Sequence, residues 1–522
     1  MAISNKRGFL DRLLLRKSVE QVQRETETSE LKRTLGAWNL VLLGIGCIIG
    51  AGIFVRTGSA AALHAGPAVL LSFLVAGSVC ALAGLCYAEL SSTLPVSGSA
   101  YTYSYVTIGE FAAWIMGALL LLEYGLAASV VAVGWSGCVV SLLGDYGIVI
   151  PAELTGPTGH AVMRDGVAVL AADGTPMTTL FNLPAFFICA ILTALLVFGV
   201  SESAKVNNVI VAIKLTVIIA FILIVGWFVI DNYSTLKSNW DPFIPPPTGE
   251  KGEFGWSGIL RAASIVFFAY IGFEAVSTAG QEAKDPKKDM PVGIIGSLLI
   301  CTVLYILVSI VMTLVVNYKM LNVPDPVAVA VDALGPQWAW FAKIIKAGAI
   351  IGLTSVVLVL MYGQTRIFYT MARDGLLPKV FAKVHPRFRT PWVNTILVGL
   401  ITAVAAAFFD INTLGDMTSV GTLAAFSIVC LAVLWLRKTH PNIPRGFHVP
   451  LYPVLPILGM VSSFALIFTV ETRVLIFFAW YAVGAIALYF LYGMHNSRLN
   501  KGLGALSGPE MPEFKADAAD PR

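Results

Sequence analysis

Apolar residues fall in long runs separated by short polar stretches. The runs recur near 36–58, 67–90, 111–142, 181–201, 207–230, 256–282, 292–317, 341–370, 392–409, 413–436, 453–470 and 473–493. About 18 or more apolar residues in a row suffice to cross the ~30 Å hydrocarbon core of a bilayer as a helix rising 1.5 Å per residue. The pattern therefore predicts an all-α polytopic membrane protein with about twelve transmembrane helices. The third and eighth runs exceed the usual ~20 residues, which predicts tilt or extension beyond the bilayer.

Composition supports this. The chain is 57% hydrophobic and 13% charged, against roughly 25% charged in soluble domains, and its mean hydropathy is +0.79. Lysine and arginine set the orientation. With both termini cytoplasmic, about 25 fall inside and about 8 outside. Lys6, Arg7, Arg12, Arg16, Lys17, Arg24, Lys32 and Arg33 precede the first run. Arg366, Arg373, Lys379, Lys383, Arg387 and Arg389 follow the eighth. The first run begins too late, and is too long, for a cleaved signal peptide. The net charge of +4 is this inside bias and gives no reason to expect a nucleic-acid partner.

Little suggests an enzyme. The seven cysteines all lie in apolar runs without metal-ligand spacing and read as small packing residues. The six histidines fall in loops or near run ends. No catalytic constellation, metal site or cofactor motif is apparent. The longest interior polar stretch, about 143–180, is rich in Gly, Pro and Thr with little periodicity, and the tail 497–522 is polar and reads as disordered.

One stretch is unusual. Gly44–Phe54 reads GIGCIIGAGIF, four glycines in the middle of an apolar run. Each glycine costs a helix interior about 1 kcal/mol relative to alanine. The spacing fails as a nucleotide fingerprint, because Ile49 stands where G-x-G-x-x-G needs its third glycine. One reading is close helix packing by small residues, which Ala37, Gly46, Gly50 and Ala51 suit. The other is a broken helix. Backbone freed from helical bonding inside a membrane must line a protected cavity or bind something. Two half-helices meeting at mid-membrane offer free amides to a carboxylate and free carbonyls to a cation. An α-amino acid carries both groups on one carbon.

A matching break five runs later strengthens the second reading. The sixth run, GILRAASIVFFAYIGFEAVSTAG, has Gly272 at its middle followed by Glu274, a costly residue at that depth. A repeat of five helices inserts its second copy upside down, so the first and sixth helices would cross in opposite directions.

GIGCIIGAGIF, FFAYIGFEAVST and RIFYTMARDGLLP together resemble the amino acid–polyamine–organocation superfamily. The last of these, with PVSGSAYTYSY and LLEYGLAASVVAVGWS, is similar to its cationic amino acid transporter branch. The similarity runs from about residue 30 to about 495. It implies the LeuT-type fold, a 5+5 inverted repeat with broken first and sixth helices. Residues 1–35 would be a cytoplasmic segment, 36–230 and 256–436 the two halves, 453–493 peripheral helices, and 497–522 a cytoplasmic tail.

The resemblance also implies site residues. Amides of Gly50, Ala51 and Gly52 match the family's carboxylate site. Carbonyls of Ile48, Phe268, Ala269 and Ile271 match its amino-group site. Family members often carry aspartate where this chain has Glu274, which leaves the role of Glu274 open. Glu123, within the third run, is expected either to hydrogen-bond between helices or to face a cationic side chain. Lys214, in the fifth, either snorkels or occupies the position where sodium-coupled relatives hold sodium. There it would meet carbonyls near Gly46 and the hydroxyls of Thr354 and Ser355, and a lysine alternating between charged and neutral forms would carry protons. Lys346 is expected to snorkel from the outer end of the eighth run. Glu89 and Arg366 are expected to orient at the interface or pair with loops, and 373–375 to form a charged cytoplasmic turn.

The resulting expectation is a proton-coupled secondary transporter of the plasma (inner) membrane. Its partners would be amino acids, protons and the lipid bilayer, with cationic amino acids the first choice and a broad or neutral range next. An exchanger, a non-transporting sensor and a channel are the alternatives. Oligomeric state, and any small membrane subunit, are not set by the sequence.

Overall fold

The computed structural model describes residues 12–18, 33–96, 98–161, 163–164, 167–168, 176–199 and 204–502. Twelve helical segments, numbered as spans in chain order, account for most of them. Among the described residues eight helices are long and apolar enough to cross a membrane, and Ala37–Ile48, Leu183–Val197, Trp392–Phe408 and Val454–Ile467 are shorter apolar helices. Span 1 is Ala37–Ile48 continued by 52–65, span 2 Val69–Thr93 and span 3 Glu110–Gly144. Span 4 is Leu183–Val197, span 5 Ala204–Asp231, span 6 Gly255–Ala279 and span 7 Pro286–Val315. Span 8 is Ala339–Arg373, span 9 Trp392–Phe408 and span 10 Ile411–Thr439. Span 11 is Val454–Ile467 and span 12 Thr472–Asn496.

The structure is helical, as expected, apart from one two-residue pairing in a connection. Met163–Arg164 pairs antiparallel with Val167–Ala168, in the long connection between spans 3 and 4. Two-residue strands carry no periodic signal, so the sequence pattern could not show them.

Burial sorts the spans. Span 6 is almost wholly enclosed, whereas span 12 turns Trp480 and Leu491 outward at more than two-thirds exposure. Hydrocarbon solvates such side chains as well as a protein interior does, so outward apolar residues need no partner. Span 7 packs along spans 1 and 2, span 5 against spans 1, 7 and 8, and span 3 along span 8. Span 11 packs on spans 2 and 10, and span 12 on spans 3 and 10.

Spans 1 and 6 are both interrupted. Helix 37–48 ends where Ile49 turns extended (ψ 101°). In span 6 the helix tightens at Phe267–Tyr270, Ile271 is extended (ψ 131°) and Gly272 takes a φ of +114°. A side chain there would be strained, which explains glycine at that point. The two breaks touch. A Cβ on Gly52 would lie 2.2 Å from Ala269 Cα, and one on Gly272 would lie 2.9 Å from the Cys47 backbone. Gly44 and Gly46 close two other contacts, against Ser297 of span 7 and Val211 of span 5. The glycines thus serve both roles the sequence offered: a break, and close packing on three neighbours.

Residues 12–18 and 497–502 share one face. Lys17 Nζ pairs with Asp374 Oδ1 at 2.7 Å, and Arg498 N donates to the Asp374 carbonyl. Tyr101, in the short helix Ser99–Thr107, donates to Asp374 Oδ2 at 2.8 Å. The expected charged turn at 373–375 is therefore a buried junction of three chain segments. Ser497 and Asn500 fold back onto Glu110, which also accepts from Tyr105 and Tyr489. So the first residues of the tail are packed, while 503–522 lie outside the described residues. Glu89, buried, accepts from Arg437 at 2.8 Å and from Val449 N at 2.7 Å. Arg366 lies over the Tyr362 ring.

Lys346 does not snorkel. It is buried, with its ammonium 2.8 Å from Asp145 and 3.7 Å from Asp325. The end of span 3 and the connection after span 7 fold over it, so its charge is met by carboxylates instead of water. Burial pushes the Asp325 carboxyl up from its ordinary value, against the opposing pull of Ser141 and Lys346.

Candidate functional site

The break in span 1 leaves polar backbone groups at mid-membrane, each costing several kcal/mol if unsatisfied. Several are met by side chains. Lys214 of span 5, fully buried, donates to Gly46 O at 2.8 Å and Ile49 O at 3.1 Å. Its stem lies against Gly352 of span 8, where a Cβ would come within 2.9 Å of Lys214 Cε. Of the two hydroxyls expected around it, Thr354 donates to Ile350 O and accepts from Trp135 Nε1, and Ser355 donates to Gly352 O.

Tyr305 of span 7 ties the two breaks together. Its hydroxyl lies 2.9 Å from Ile48 O and 3.0 Å from Ala269 O and donates to these carbonyls. Sequence reading missed this residue. Its signal was the single tyrosine inside the apolar run 292–317, weak because tyrosine is common at helix interfaces. In span 6, Phe268 O accepts from Ile271 N, and the Gly272 amide donates to both carboxyl oxygens of Glu274 at 3.1 and 3.0 Å. Glu274 thus satisfies a donor that the break set free.

Other backbone groups stay available. Among the described residues, the amides of Gly50 and Ala51 and the carbonyl of Ile271 have no hydrogen-bond partner. They border a narrow cavity of about 10 Å³, room for roughly one water. Its side-chain walls are Cys47, Ile48, Ala127, Val131, Phe268, Ile271, Val356 and Leu360, all apolar. Gly50, Ala51 and Gly52 complete it, and at Gly50 a Cβ would meet only Val356, at 3.4 Å. Of the expected substrate residues, Ile48, Gly50, Ala51, Gly52, Phe268 and Ile271 line this cavity; Ala269 does not line it, and its carbonyl accepts from Tyr305.

Glu123 is not on that wall. It lies in a widened turn of span 3, Leu121–Leu126, one helical turn from the wall residue Ala127. Its carboxyl is fully buried, and neither oxygen has a hydrogen-bond donor among the described residues. The acidic group beside it is the carboxyl of Glu274. Two facing carboxylates repel unless a cation or a shared proton lies between them.

Charge clusters lie on both sides of the breaks. Towards the face opposite the termini, Asp416 of span 10 accepts from Arg56 of span 1 at 3.1 Å and from Arg261 of span 6. Arg56 also donates to Asn412 at 2.7 Å, and Arg261 to Ser264 at 3.1 Å. All three charged groups are buried. The sequence reading passed over them because they lie near predicted run ends, where arginine usually reaches water. On the other side, Lys17, Asp374 and Tyr101 form a second buried cluster. Spans 1, 6 and 10 are cross-linked on one side of the breaks, and the N-terminal segment is tied to the turn after span 8 on the other.

Residues 35–492 match a family described as "Amino acid permease". The chain is 46% identical to the methylthioribose transporter of Bacillus subtilis (strain 168), over 94% of this chain and 99% of the relative. It is 43% identical to the branched-chain amino acid permease BcaP of the same organism, over 93% and 98%. It is 38% identical to the vacuolar cationic amino acid transporter 4 of Arabidopsis thaliana, over 83% of this chain and 68% of the relative.

Proposed function

Since the chain belongs to the amino acid permease family, we propose that it carries amino acids with uncharged, apolar side chains across the plasma membrane, coupled to protons, by alternating access. One observation carries the substrate reading: free backbone amides and a carbonyl beside a wholly apolar wall. Gly50, Ala51 and Gly52 amides would take the carboxylate. Ile48 and Ile271 carbonyls, with those of Phe268 and Ala269, would surround the amino group. Ala127, Val131, Val356 and Leu360 would pack on the side chain. Both bacterial relatives are named for uncharged cargo or uncharged side chains. The cationic preference expected from the sequence becomes the second reading. It is supported by the buried, donor-free carboxyl of Glu123 beside Glu274.

In this proposal residues 36–230 and 256–436 form two inverted halves of the LeuT type, and 453–493 lie outside them. Breaks in the first and sixth spans, five apart, support it. The face bearing both termini would be cytoplasmic, in keeping with its lysines and arginines. Lys214 would act as the proton carrier with Gly46, Thr354 and Ser355 around it. While charged it bonds the first half of span 1 to span 5; on releasing its proton it would loosen that bond and let the cytoplasmic half move. Coupling requires that the two protonation states favour different conformations.

The test is a thermal-shift screen of the purified protein over the common amino acids, since ligands that bind the native state raise its melting temperature. Leucine, isoleucine and valine are expected to stabilise, lysine and arginine not. Stabilisation by lysine alone, lost in Glu123→Gln, would favour the second reading.

A further inference from the structure

A second cavity lies away from the breaks, between spans 3, 10, 11 and 12. Its volume is about 560 Å³, within the range of small-molecule sites. Its walls are apolar. Phe111 to Leu119 of span 3 and Phe478 to Ile486 of span 12 each contribute about two turns, roughly 12 Å in length. The two polar side chains in the lining turn away. Ser427 Oγ donates to Leu423 O at 3.0 Å, and Tyr481 OH donates to Ala118 O at 2.6 Å. A polar ligand body would find nothing to bond there. Val461 and Phe464 on the rim are more than half exposed, so the cavity opens towards the lipid.

One end is different. Along span 10 the wall residues Ile428 and Leu431 lead, one turn on, to Trp435, towards the face that carries the termini. Over the Trp435 ring lies the Arg16 guanidinium, 5.6 Å from its centroid. Arg16 Nε donates to Ile108 O at 3.3 Å, three residues before the wall residue Phe111. That bond fixes the guanidinium while its two NH2 groups remain unbonded among the described residues. Among the described residues no carboxylate pairs with it. The molecule thus sets an apolar slot open to lipid near an arginine that has no carboxylate partner among the described residues.

We infer that this slot binds one anionic phospholipid, an acyl chain between spans 3, 10, 11 and 12 and the phosphate on Arg16. Guanidinium is suited to phosphate because it offers parallel donors in one plane. Arg16 adjoins Lys17, which locks on Asp374, so a lipid held here would link bilayer charge to the closure of the terminal face.

The experiment uses the full chain in nanodiscs containing equal phosphatidylglycerol and phosphatidylcholine with identical acyl chains. Native mass spectrometry after gentle detergent release counts the retained lipid. One retained phosphatidylglycerol is expected, in about fivefold preference over phosphatidylcholine, as one arginine near a charged surface supplies. Arg16→Gln should abolish the preference and Arg16→Lys should keep part of it. Ala424→Trp, which fills the slot, should remove the retained lipid of both kinds. Amino acid thermal shifts establish that each variant is folded. Equal retention of the two lipids by the unmodified protein would overturn the inference. So would an undiminished preference in Arg16→Gln, retention unaffected by Ala424→Trp, or a co-purified hydrophobic peptide displacing lipid from the slot.

Discussion

Replacing Gly52 by alanine should separate the two roles of the span 1 glycines. A Cβ at this position would stand 2.2 Å from Ala269 Cα and 2.9 Å from Ala269 N. Carbon atoms in ordinary contact lie about 3.5–4.0 Å apart, so the breaks would have to separate by roughly 1.3–1.8 Å. The obstacle is backbone, which cannot rotate away as a side-chain tip does. Overpacking of this kind costs about 1–3 kcal/mol, or roughly 5- to 150-fold in an equilibrium constant. At Gly50 the nearest atom to an added Cβ is a Val356 methyl at 3.4 Å, so Gly50→Ala fits with little strain. Its methyl group would instead enter the narrow cavity. The assay is the melting temperature of the purified protein with and without leucine. Gly52→Ala is expected to lower both the ligand-free melting temperature and the leucine shift. Gly50→Ala should keep the first, with a stability change within about 0.5 kcal/mol, and reduce the second. Wild-type values for Gly52→Ala would refute the close approach of the two breaks. Equal ligand-free destabilisation by both variants would refute the distinction between a packing glycine and a cavity glycine.

Three further outcomes follow from the same geometry. Tyr305→Phe leaves the carbonyls of Ile48 and Ala269 without their shared donor, so thermal or denaturant unfolding should show a loss of about 1–3 kcal/mol; no loss would mean that another donor replaces the hydroxyl. Lys214→Met keeps the bulk of the stem but removes the charge held at Gly46 and Ile49, so uptake of labelled leucine into proteoliposomes should no longer respond to an inward proton gradient; accumulation at the unmodified rate would rule out the lysine as carrier. Asp416→Asn leaves Arg56 and Arg261 buried beside each other without their carboxylate, a loss of about 3–5 kcal/mol to the closed state, so an Ala51→Cys reporter should react faster with a membrane-impermeant thiol reagent; an unchanged rate would show that this cluster does not close the path.

Much of this protein is written in its apolar pattern, because the bilayer fixes the length and polarity of whatever crosses it. Twelve runs gave twelve spans, and the cluster Gly44–Gly52 with Gly272 marked the two interruptions, since a left-handed or tightly packed backbone position favours glycine locally. Which neighbour each glycine meets was not legible: Ser297, Val211 and Ala269 come from spans far away in the chain. Nor could the pattern say which charges near span ends reach water. Lys346, Arg56 and Arg261 look alike in sequence, yet all three are buried against carboxylates. The reason is physical. Hydrophobicity along one helix is a local property, set by its own side chains against the solvent. The partner of a buried arginine or a free carbonyl depends on which other helix arrives there, and only the packing of the spans decides that.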